Sequence, residues 1–192
     1  SFDNKILTTN IENGEVVEIH VDDSEISTYR LGSVYIGKVK KIVPSIHAAF
    51  IEIGKGMECY YDMNERGGAP IRSGDEFMVQ ISKEAVKTKQ PAVTRNISLT
   101  GKYCVLTAGD SRIGISNKIC AEKSDELKKA MQPYKTREYG FIVRTNAKNC
   151  EVKELINEAV RLRKEYEHLT SIAGSRVCLS CLKESPAPYI SD

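Results

Sequence analysis

The sequence predicts a mixed α+β fold in which a small five-stranded β-barrel of the OB type interrupts an α/β domain. Five short runs rich in Val, Ile, Phe and Tyr lie between residues 31 and 100, with turn residues between them. Two alternating runs precede them, and a strand followed by a long helical pattern comes after. We therefore expect the first strands of the α/β domain at 1–30, the barrel at 31–100, the rest of that domain at 101–175, and a linker or tail at 176–192.

The elements follow from local patterns in chain order. KILTTNI and EVVEIHV alternate apolar and polar residues around the turn residues ENG, which predicts a strand pair. The five barrel runs are SVYIGKVKKIV, AAFIEIG, MECYYD, EFMVQISKEA and PAVTRNISL. Further strands are expected over 101–120 and at YGFIVRT, with a short helix between them that Ser124 caps and Pro133 ends. A second helix is expected over 150–175 from an apolar stripe that comprises Val152, Leu155, Ile156, Ala159, Leu162 and Tyr166.

The composition is typical of a globular protein without strong bulk charge. The 192 residues are 41% hydrophobic and 28% charged, and the net charge is only +2. Any attraction to nucleic acid must therefore come from a local basic patch. Since no window holds 18 apolar residues, no membrane span is expected. The six cysteines are scattered and no secretion signal is present, so we expect a cytoplasmic protein with reduced thiols.

Two aromatic residues on neighbouring barrel strands form a candidate binding surface. Phe50 and Tyr60 flank a tight turn and can lie side by side on one face of the barrel. Exposed rings beside cations form a stacking platform for single-stranded bases. Alternatively, both rings belong to the core. The first interpretation is open only if aliphatic residues fill the barrel without them, and the candidates for that core are Val34, Ile36, Val39, Ile51 or Ile53, Val79 and Ile81.

Basic residues accompany the aromatic pair in the sequence. Lys38 and Lys40 share a face of the first barrel strand because their spacing is two, and Lys41 follows them. A second basic set lies in and after the fourth barrel strand and comprises Lys83, Lys87, Lys89 and Arg95. A local basic set beside exposed rings suits the binding of a phosphate backbone. The alternative is an ordinary solvated charged face.

Two further motifs have separate interpretations. In FIVRTNA an apolar strand ends at Arg144 and Thr145, which offer a guanidinium fork and a hydroxyl for a phosphate group. A surface ion pair at Arg144 is the alternative. Cys178 and Cys181 form a lone C-x2-C, whereas a structural zinc ion needs four ligands. A zinc or redox role for this pair is therefore a weak alternative.

The order of motifs resembles the start of the ribonuclease E/G family of bacterial endoribonucleases. The segments that carry the resemblance are GSVYIGKVKKIVPSIHAAFIEIGKGMECYYDMNE, ISLTGKYCVL, GISNKI and GFIVRTNA. The resemblance implies an S1 RNA-binding domain inserted in a ribonuclease H-like subdomain. It also implies a role in RNA processing and decay, with single-stranded RNA as the partner, preferably 5′-monophosphorylated, and it leaves open a homo-oligomer in the full-length protein.

The resemblance also assigns site residues. The aromatic residues of the barrel fall on Phe50 and on Tyr60, which is Phe in better-known members, and an RNA-binding lysine falls on Lys89. The pocket for a 5′-monophosphate falls on Arg144 and Thr145, which would bind the phosphate, and on Gly101 and Val105, which would frame the terminal nucleotide. Asn117 and Lys118 stand where better-known members carry two arginines, so RNA contacts there are not assigned.

No catalytic residue and no metal ligand is assigned to this chain. The resemblance implies that the Mg²⁺-binding aspartates belong to a DNase I-like subdomain beyond residue 192, so we expect these residues alone not to cleave RNA. Two alternatives stay open: a stand-alone S1-type RNA-binding module, and a domain whose barrel binds protein. RNA binding would weaken steeply with salt, whereas a protein-binding barrel has no such requirement.

Overall fold

The structure is a computed structural model that describes residues 5–12, 15–23, 29–54, 56–65, 70–86 and 89–185. The strands within these ranges form three sheets, accompanied by two α-helices. The predicted turn at 13–14 and Lys87 lie outside the described residues.

The predicted strand pair at the start of the chain is an antiparallel hairpin. β1 (Lys5–Glu12) pairs with β2 (Glu15–Asp23), and Lys5 lies opposite Asp23. The two strands form a two-stranded sheet by themselves. The expectation that these strands are the first strands of the α/β domain stays a prediction.

The predicted five-stranded barrel is confirmed. Its strands are β3 (Val34–Val43), β4 (Ala48–Glu52), β5 (Glu58–Asp62), β6 (Glu76–Lys83) and β7 (Ala92–Thr94). They follow one another in the order β3-β4-β5-β7-β6, and pairing of β3 with β6 closes the barrel. The β5–β7 pairing is parallel and the others are antiparallel. Closure satisfies the backbone groups that an open sheet would leave at its edges.

Alternation along each strand decides which side chains fill the barrel. The buried barrel cluster comprises Tyr35, Val39, Ala49, Ile51, Ile53, Cys59, Tyr61, Ile71, Val79, Ile81 and Val93. Because Tyr35 and Val39 point inward, Val34 and Ile36 lie on the other side of β3. The prediction that Val34 belongs to the barrel core is therefore wrong, since Val34 packs in the second core. Ile36 is likewise buried outside the barrel cluster.

A second, mixed sheet carries both helices. Its strands are β8 (Ser98–Thr100), β9 (Cys104–Ala108), β10 (Ile113–Ile115) and β11 (Tyr139–Val143), in the order β10-β11-β9-β8. β10 and β11 are parallel, and β9 is antiparallel to both of its neighbours. The fifth predicted run therefore splits: Ala92–Thr94 closes the barrel, whereas Ser98–Thr100 joins the second sheet. Phe141 and Leu106 form the centre of the second core together with helical leucines.

The helices are α1 (Ala121–Met131) and α2 (Val152–Ala173). On α2, the predicted stripe places Leu155, Ala159 and Leu162 in the second core, and Glu151 and Glu154 form a capping box at its start. Ser124 does not cap α1, contrary to the prediction. Its N–H donates to the Cys120 carbonyl at 2.9 Å, which extends the helix by one turn toward the N-terminus.

Long-range contacts join the barrel to the second sheet. The buried Gln80 amide of β6 donates to the carbonyls of Gly32 and Ser98, both at 2.9 Å, and accepts from the Ser98 N–H at 2.7 Å. In the segment predicted as a linker or tail, β12 (Cys181–Lys183) pairs antiparallel with β3. The Lys183 ammonium also pairs with Glu165 of α2. The barrel is therefore tied to the α/β unit on two sides.

Candidate nucleic-acid interface

The aromatic pair lies outside the barrel core. Phe50 and Tyr60 are directly opposite each other on β4 and β5, and each is half-buried. Their chain neighbours Ala49, Ile51 and Tyr61 point into the barrel and are fully or almost fully buried. The sequence prediction that the two rings share one outer face is confirmed, because strand alternation sends adjacent residues to opposite sides.

The pair belongs to a row of residues that runs across the outside of the barrel. Lys41 of β3 lies opposite Phe50, and Ala92 of β7 lies opposite Tyr60. Lys83 of β6 in turn lies opposite Ala92. Residues opposite each other in a sheet project from the same face, so two rings are followed by a small side chain and flanked by a lysine at each end. We call this set, Lys41, Phe50, Tyr60, Ala92 and Lys83, the barrel face.

A groove of about 720 Å³ opens beside Tyr60. Lys83 and Lys89 contribute to its wall, together with Val86 and Gln90. Lys89 is held in place by a two-bond bridge to Val86, in which its N–H donates to the Val86 carbonyl at 2.9 Å. The structure therefore brings together Tyr60 and Lys89, which are 29 residues apart in the numbering.

Three carboxylates also line the groove, and each is engaged by a neighbouring donor. Asp62 accepts from the Asn64 N–H at 2.9 Å, and Glu84 accepts from the Leu31 N–H at 3.1 Å. Glu65 accepts from the Thr94 hydroxyl and from the Arg95 N–H. These bonds hold the three carboxylates in the wall of the groove, and no ion pair joins any of them to Lys83 or Lys89.

Lys38 and Lys40 have partners of their own. The Lys38 ammonium lies 3.2 Å from Glu76, and the Lys40 ammonium lies 3.0 Å from Glu52. Hydrogen bonding to Glu52 raises the pKa of Lys40, so this lysine stays charged. Both pairs are at the surface, where ion pairs contribute little and exchange readily with other anions. The structure therefore leaves these two lysines at the surface but with part of their charge compensated.

Arg95 is not part of the barrel face. Its guanidinium lies over the Phe77 ring, 4.4 Å from the ring centroid. Phe77 itself packs against the barrel core and contacts Tyr61. The fourth cation of the predicted second basic set is therefore engaged in a cation–π contact on the barrel wall.

The residues of the predicted phosphate pocket meet at the end of β11. Arg144 follows β11, and its Nη1 donates to the Gly101 carbonyl at 2.7 Å. The Arg144 N–H donates to the Tyr103 carbonyl at 2.7 Å. Among the described residues no carboxylate pairs with this exposed guanidinium, so the surface ion pair considered as an alternative is not observed within them.

Thr145 is held by a residue that sequence reasoning did not assign. Its hydroxyl lies 2.8 Å from the Ser116 hydroxyl. Ser116 directly follows β10, and its N–H donates to the Val143 carbonyl at 2.9 Å. Ser116 and Thr145 each follow the end of a strand, and the ends of two parallel neighbours meet at one edge of a sheet. The sequence could have indicated their contact only if the parallel pairing of β10 with β11 had been predicted.

Val105 contributes an apolar surface next to this edge. It is half-buried on β9, opposite Ile142 of β11. Ile142 is 48% exposed, which is unusual for a central strand of this sheet. Because Ile142 and Arg144 are two residues apart, Val105 and Ile142 lie on the side of the sheet from which Arg144 projects. Ile142 is a second residue that sequence reasoning missed.

The cysteine thiols do not form a recognisable reactive site. Burial raises the pKa of Cys59 to about 12, and burial likewise raises the pKa of Cys178 and of Cys181. A reactive thiol has a lowered pKa, so these shifts disfavour the redox alternative.

In the described ranges, no three His, Cys, Asp or Glu side chains come together as metal ligands. Among the described helices, none is long and apolar enough to cross a membrane.

Fold and site together define an α+β protein with an OB-type barrel that carries a half-buried aromatic pair outside its core. Comparison with known proteins names the family. The model of the family described as "Ribonuclease E/G family" matches residues 98–190. The chain belongs to the ribonuclease E/G family.

Curated relatives cover most of the chain. Ribonuclease G of Escherichia coli K12 is 30% identical over 176 residues, which cover 81% of this chain and 36% of the relative. Ribonuclease E of the same strain is 31% identical over 176 residues, which cover 82% of this chain and 16% of the relative. Ribonuclease E of Nostoc sp. PCC 7120 is 29% identical over 160 residues, which cover 77% of this chain and 23% of the relative. The chain thus spans about a third of the length of the ribonuclease G that it matches.

Proposed function

We propose that this chain is the RNA-binding portion of an endoribonuclease of the ribonuclease E/G type, which acts in RNA processing and decay. It binds single-stranded RNA on an S1-type barrel and recognises a 5′-monophosphate end near Arg144. The observation that carries the proposal is the position of Phe50 and Tyr60, which lie opposite each other outside the barrel core with a lysine at each end of their row.

The barrel face supplies affinity. Two rings on neighbouring strands offer flat surfaces on which two bases can stack, at roughly 1–3 kcal/mol for each base. Lys41 and Lys83 at the ends of the row, and Lys89 in the groove, lie where the phosphates of the same strand would pass. Lys38 and Lys40 add positive charge on the first strand when RNA phosphates replace Glu76 and Glu52 as their partners.

The pocket at the end of β11 supplies end recognition. The Arg144 guanidinium retains N–H donors beyond the one bonded to Gly101, and a terminal phosphate can accept them in pairs. The Thr145 hydroxyl, placed by Ser116, adds a further donor. Val105 and Ile142 offer an apolar surface for the terminal nucleoside. A 5′-hydroxyl end lacks the charge that Arg144 binds, so the pocket discriminates against it.

Cleavage is assigned to the full-length family protein. There, Mg²⁺ would assist attack of water on a phosphodiester. We expect the 192 residues alone not to cleave RNA. Incubating the purified chain with 5′-monophosphorylated single-stranded RNA and Mg²⁺ tests this expectation. Cleavage that survives repurification of the chain would contradict it.

The decisive experiment measures binding of one short single-stranded RNA with either a 5′-monophosphate or a 5′-hydroxyl, at two salt concentrations. We expect affinity that falls steeply with salt and a preference for the monophosphate. Salt-dependent binding without the preference would support RNA binding by the barrel and contradict recognition of the 5′-monophosphate near Arg144. Absence of binding at low salt would reject both and favour a barrel that binds protein.

A further inference from the structure

A carboxylate of α2 closes the turn that supports the pocket. Glu158 accepts the N–H groups of Lys102 and Tyr103, both at 2.7 Å, and that of Cys104 at 2.8 Å. The turn also closes on itself, since the Gly101 N–H donates to the Cys104 carbonyl at 2.8 Å. Hydrogen bonds from three successive backbone amides to one carboxylate are charge-assisted and therefore strong.

Gly101 is packed directly against this carboxylate. A Cβ added to Gly101 would lie 2.4 Å from the carboxyl carbon of Glu158, well inside contact distance. The backbone of Gly101 does not have a positive φ. An alanine at this position therefore has no conformational penalty specific to glycine, and its effect would come from displacing Glu158. The requirement for glycine at position 101 therefore comes from its contact with the Glu158 carboxylate.

The same turn holds the phosphate-binding arginine. The Gly101 carbonyl accepts from Arg144 Nη1 at 2.7 Å, and the Tyr103 carbonyl accepts from the Arg144 N–H at 2.7 Å. The carboxylate on one side and the guanidinium on the other are thus joined through one short stretch of backbone. Movement of the turn would move the Gly101 carbonyl and release the guanidinium from its fixed orientation.

We propose that Glu158 is a positioning residue: it holds the turn Gly101–Cys104 through three backbone amides and thereby orients Arg144 for a terminal phosphate. This inference rests on the function proposed above. The carboxylate has a second consequence. Successive amides that point to one spot bind anions, and Glu158 occupies that spot itself. The terminal phosphate is therefore directed to Arg144 rather than to the backbone of the turn.

The test uses the 192-residue chain and four variants: Glu158→Ala, Glu158→Gln, Gly101→Ala, and Gly101→Ala combined with Glu158→Ala. Two quantities are measured. One is the ratio of affinities for 5′-monophosphate and 5′-hydroxyl RNA, in which the contribution of the barrel cancels. The other is amide hydrogen exchange at Tyr103 and Cys104, which reports on the turn without RNA. Glu167→Ala is the matched control, because it removes a carboxylate of the same helix whose ion-pair partner among the described residues is Arg163, at 3.5 Å.

For Glu158→Ala we expect the affinity ratio to fall about tenfold, as for loss of a charged hydrogen-bond network, together with faster exchange of both amides. Gly101→Ala should have the same two effects. The double variant should be no worse than Glu158→Ala, because the added methyl group then has space. Glu158→Gln should be intermediate, since its amide nitrogen cannot accept the third N–H. The control should match the unmodified chain in both measurements.

Two results would overturn the inference. An unchanged affinity ratio in Glu158→Ala, with faster exchange, would mean that the turn is held but that Arg144 does not depend on it. Unchanged exchange would mean that the carboxylate does not hold the turn. Failure of the proposed function is distinguishable, because it would show in the unmodified chain as no preference for the monophosphate. If circular dichroism shows that the alanine variants do not fold, the affinity ratio and the amide exchange of Glu158→Gln test the positioning role of Glu158 instead.

Discussion

The barrel face and the Arg144 pocket hold their cations in different ways. On the barrel face, Lys41 and Lys83 end a row of rings, and within the described residues neither has an ion-pair partner. In the pocket, Arg144 is bonded through its side chain to Gly101 and through its backbone to Tyr103. Flexible ammonium groups beside flat rings suit any sequence of bases, whereas a fixed guanidinium suits one chemical group in one position.

The difference teaches which property each region should control. Stacking and loosely held charges contribute affinity and salt dependence with little dependence on the end of the RNA. A guanidinium held in advance contributes discrimination, because its orientation does not have to be established on binding. Variants in one region should therefore leave the property of the other region unchanged.

The largest effect is expected on the barrel face. Phe50→Ala combined with Tyr60→Ala should weaken RNA binding by roughly 2–6 kcal/mol, because two stacked bases lose their platforms. The ratio of affinities for 5′-monophosphate and 5′-hydroxyl RNA should not change. Fluorescence anisotropy with both RNAs measures each quantity. Tyr134→Ala is the control, since Tyr134 is also half-buried but packs against the second core. Unchanged RNA affinity in a folded double variant would show that Phe50 and Tyr60 do not bind RNA.

A smaller and more selective effect is expected in the pocket. Arg144→Ala should abolish the preference for the 5′-monophosphate, a loss of about 1.5–3 kcal/mol for hydrogen bonds to a charged group. Affinity for 5′-hydroxyl RNA should be retained. Arg112→Ala is the control, because Arg112 is an exposed arginine already paired with Asp110 at 2.6 Å. An unchanged preference in Arg144→Ala would show that the pocket is misassigned.

The lysines should differ among themselves. Replacing both Lys83 and Lys89 with Ala should lower the slope of log affinity against log salt by about 1.4, or 0.7 for each phosphate contact with a single strand. Replacing Lys38 and Lys40 with Ala should lower it less, since Glu76 and Glu52 already compensate these charges. Titrations at several salt concentrations measure both slopes. Equal slopes for the two variants would contradict the distinction between lysines with and without an ion-pair partner in the described part of the chain.

The last and smallest expected effect is the alkylation of two buried thiols, one in each core. Cys59 of the barrel and Cys104 of the second core are fully buried. Burial raises the pKa of Cys59 from 9.0 to about 12 and also raises the pKa of Cys104. Both should resist alkylation at about pH 8 in the folded chain, whereas the exposed Cys120 should react.

The sign of the pH dependence follows from the raised pKa of Cys59. The folded thiol keeps its proton above pH 9, where the unfolded thiol loses it, so its contribution to stability falls as pH rises toward about 12. Alkylation should therefore be measured below that window. The same protection in the barrel-face and Arg144 variants would show that each core is intact. Rapid alkylation of Cys59 in the unmodified chain would contradict the burial on which the barrel core depends.

Local patterns were sufficient for some elements and not for others. The outward position of Phe50 and Tyr60 follows from alternation around Ala49, Ile51 and Tyr61, which is a property of the strand itself. The apolar stripe of α2 likewise follows from its own periodicity. The start of α1 was misplaced because Ser124 resembles a cap, whereas the burial of Leu127 and Met131 belongs to a helix that begins earlier.

The sequence by itself determined the number of barrel strands, the face on which the aromatic pair lies and the resemblance to the ribonuclease E/G family. These depend on residues close together in the chain. Only the tertiary structure decided that Val34 belongs to the second core, that Glu76 and Glu52 compensate Lys38 and Lys40, and that Glu158 and Arg144 meet one turn from opposite sides. Each of these depends on strand register or helix docking between distant segments, which local periodicity does not specify.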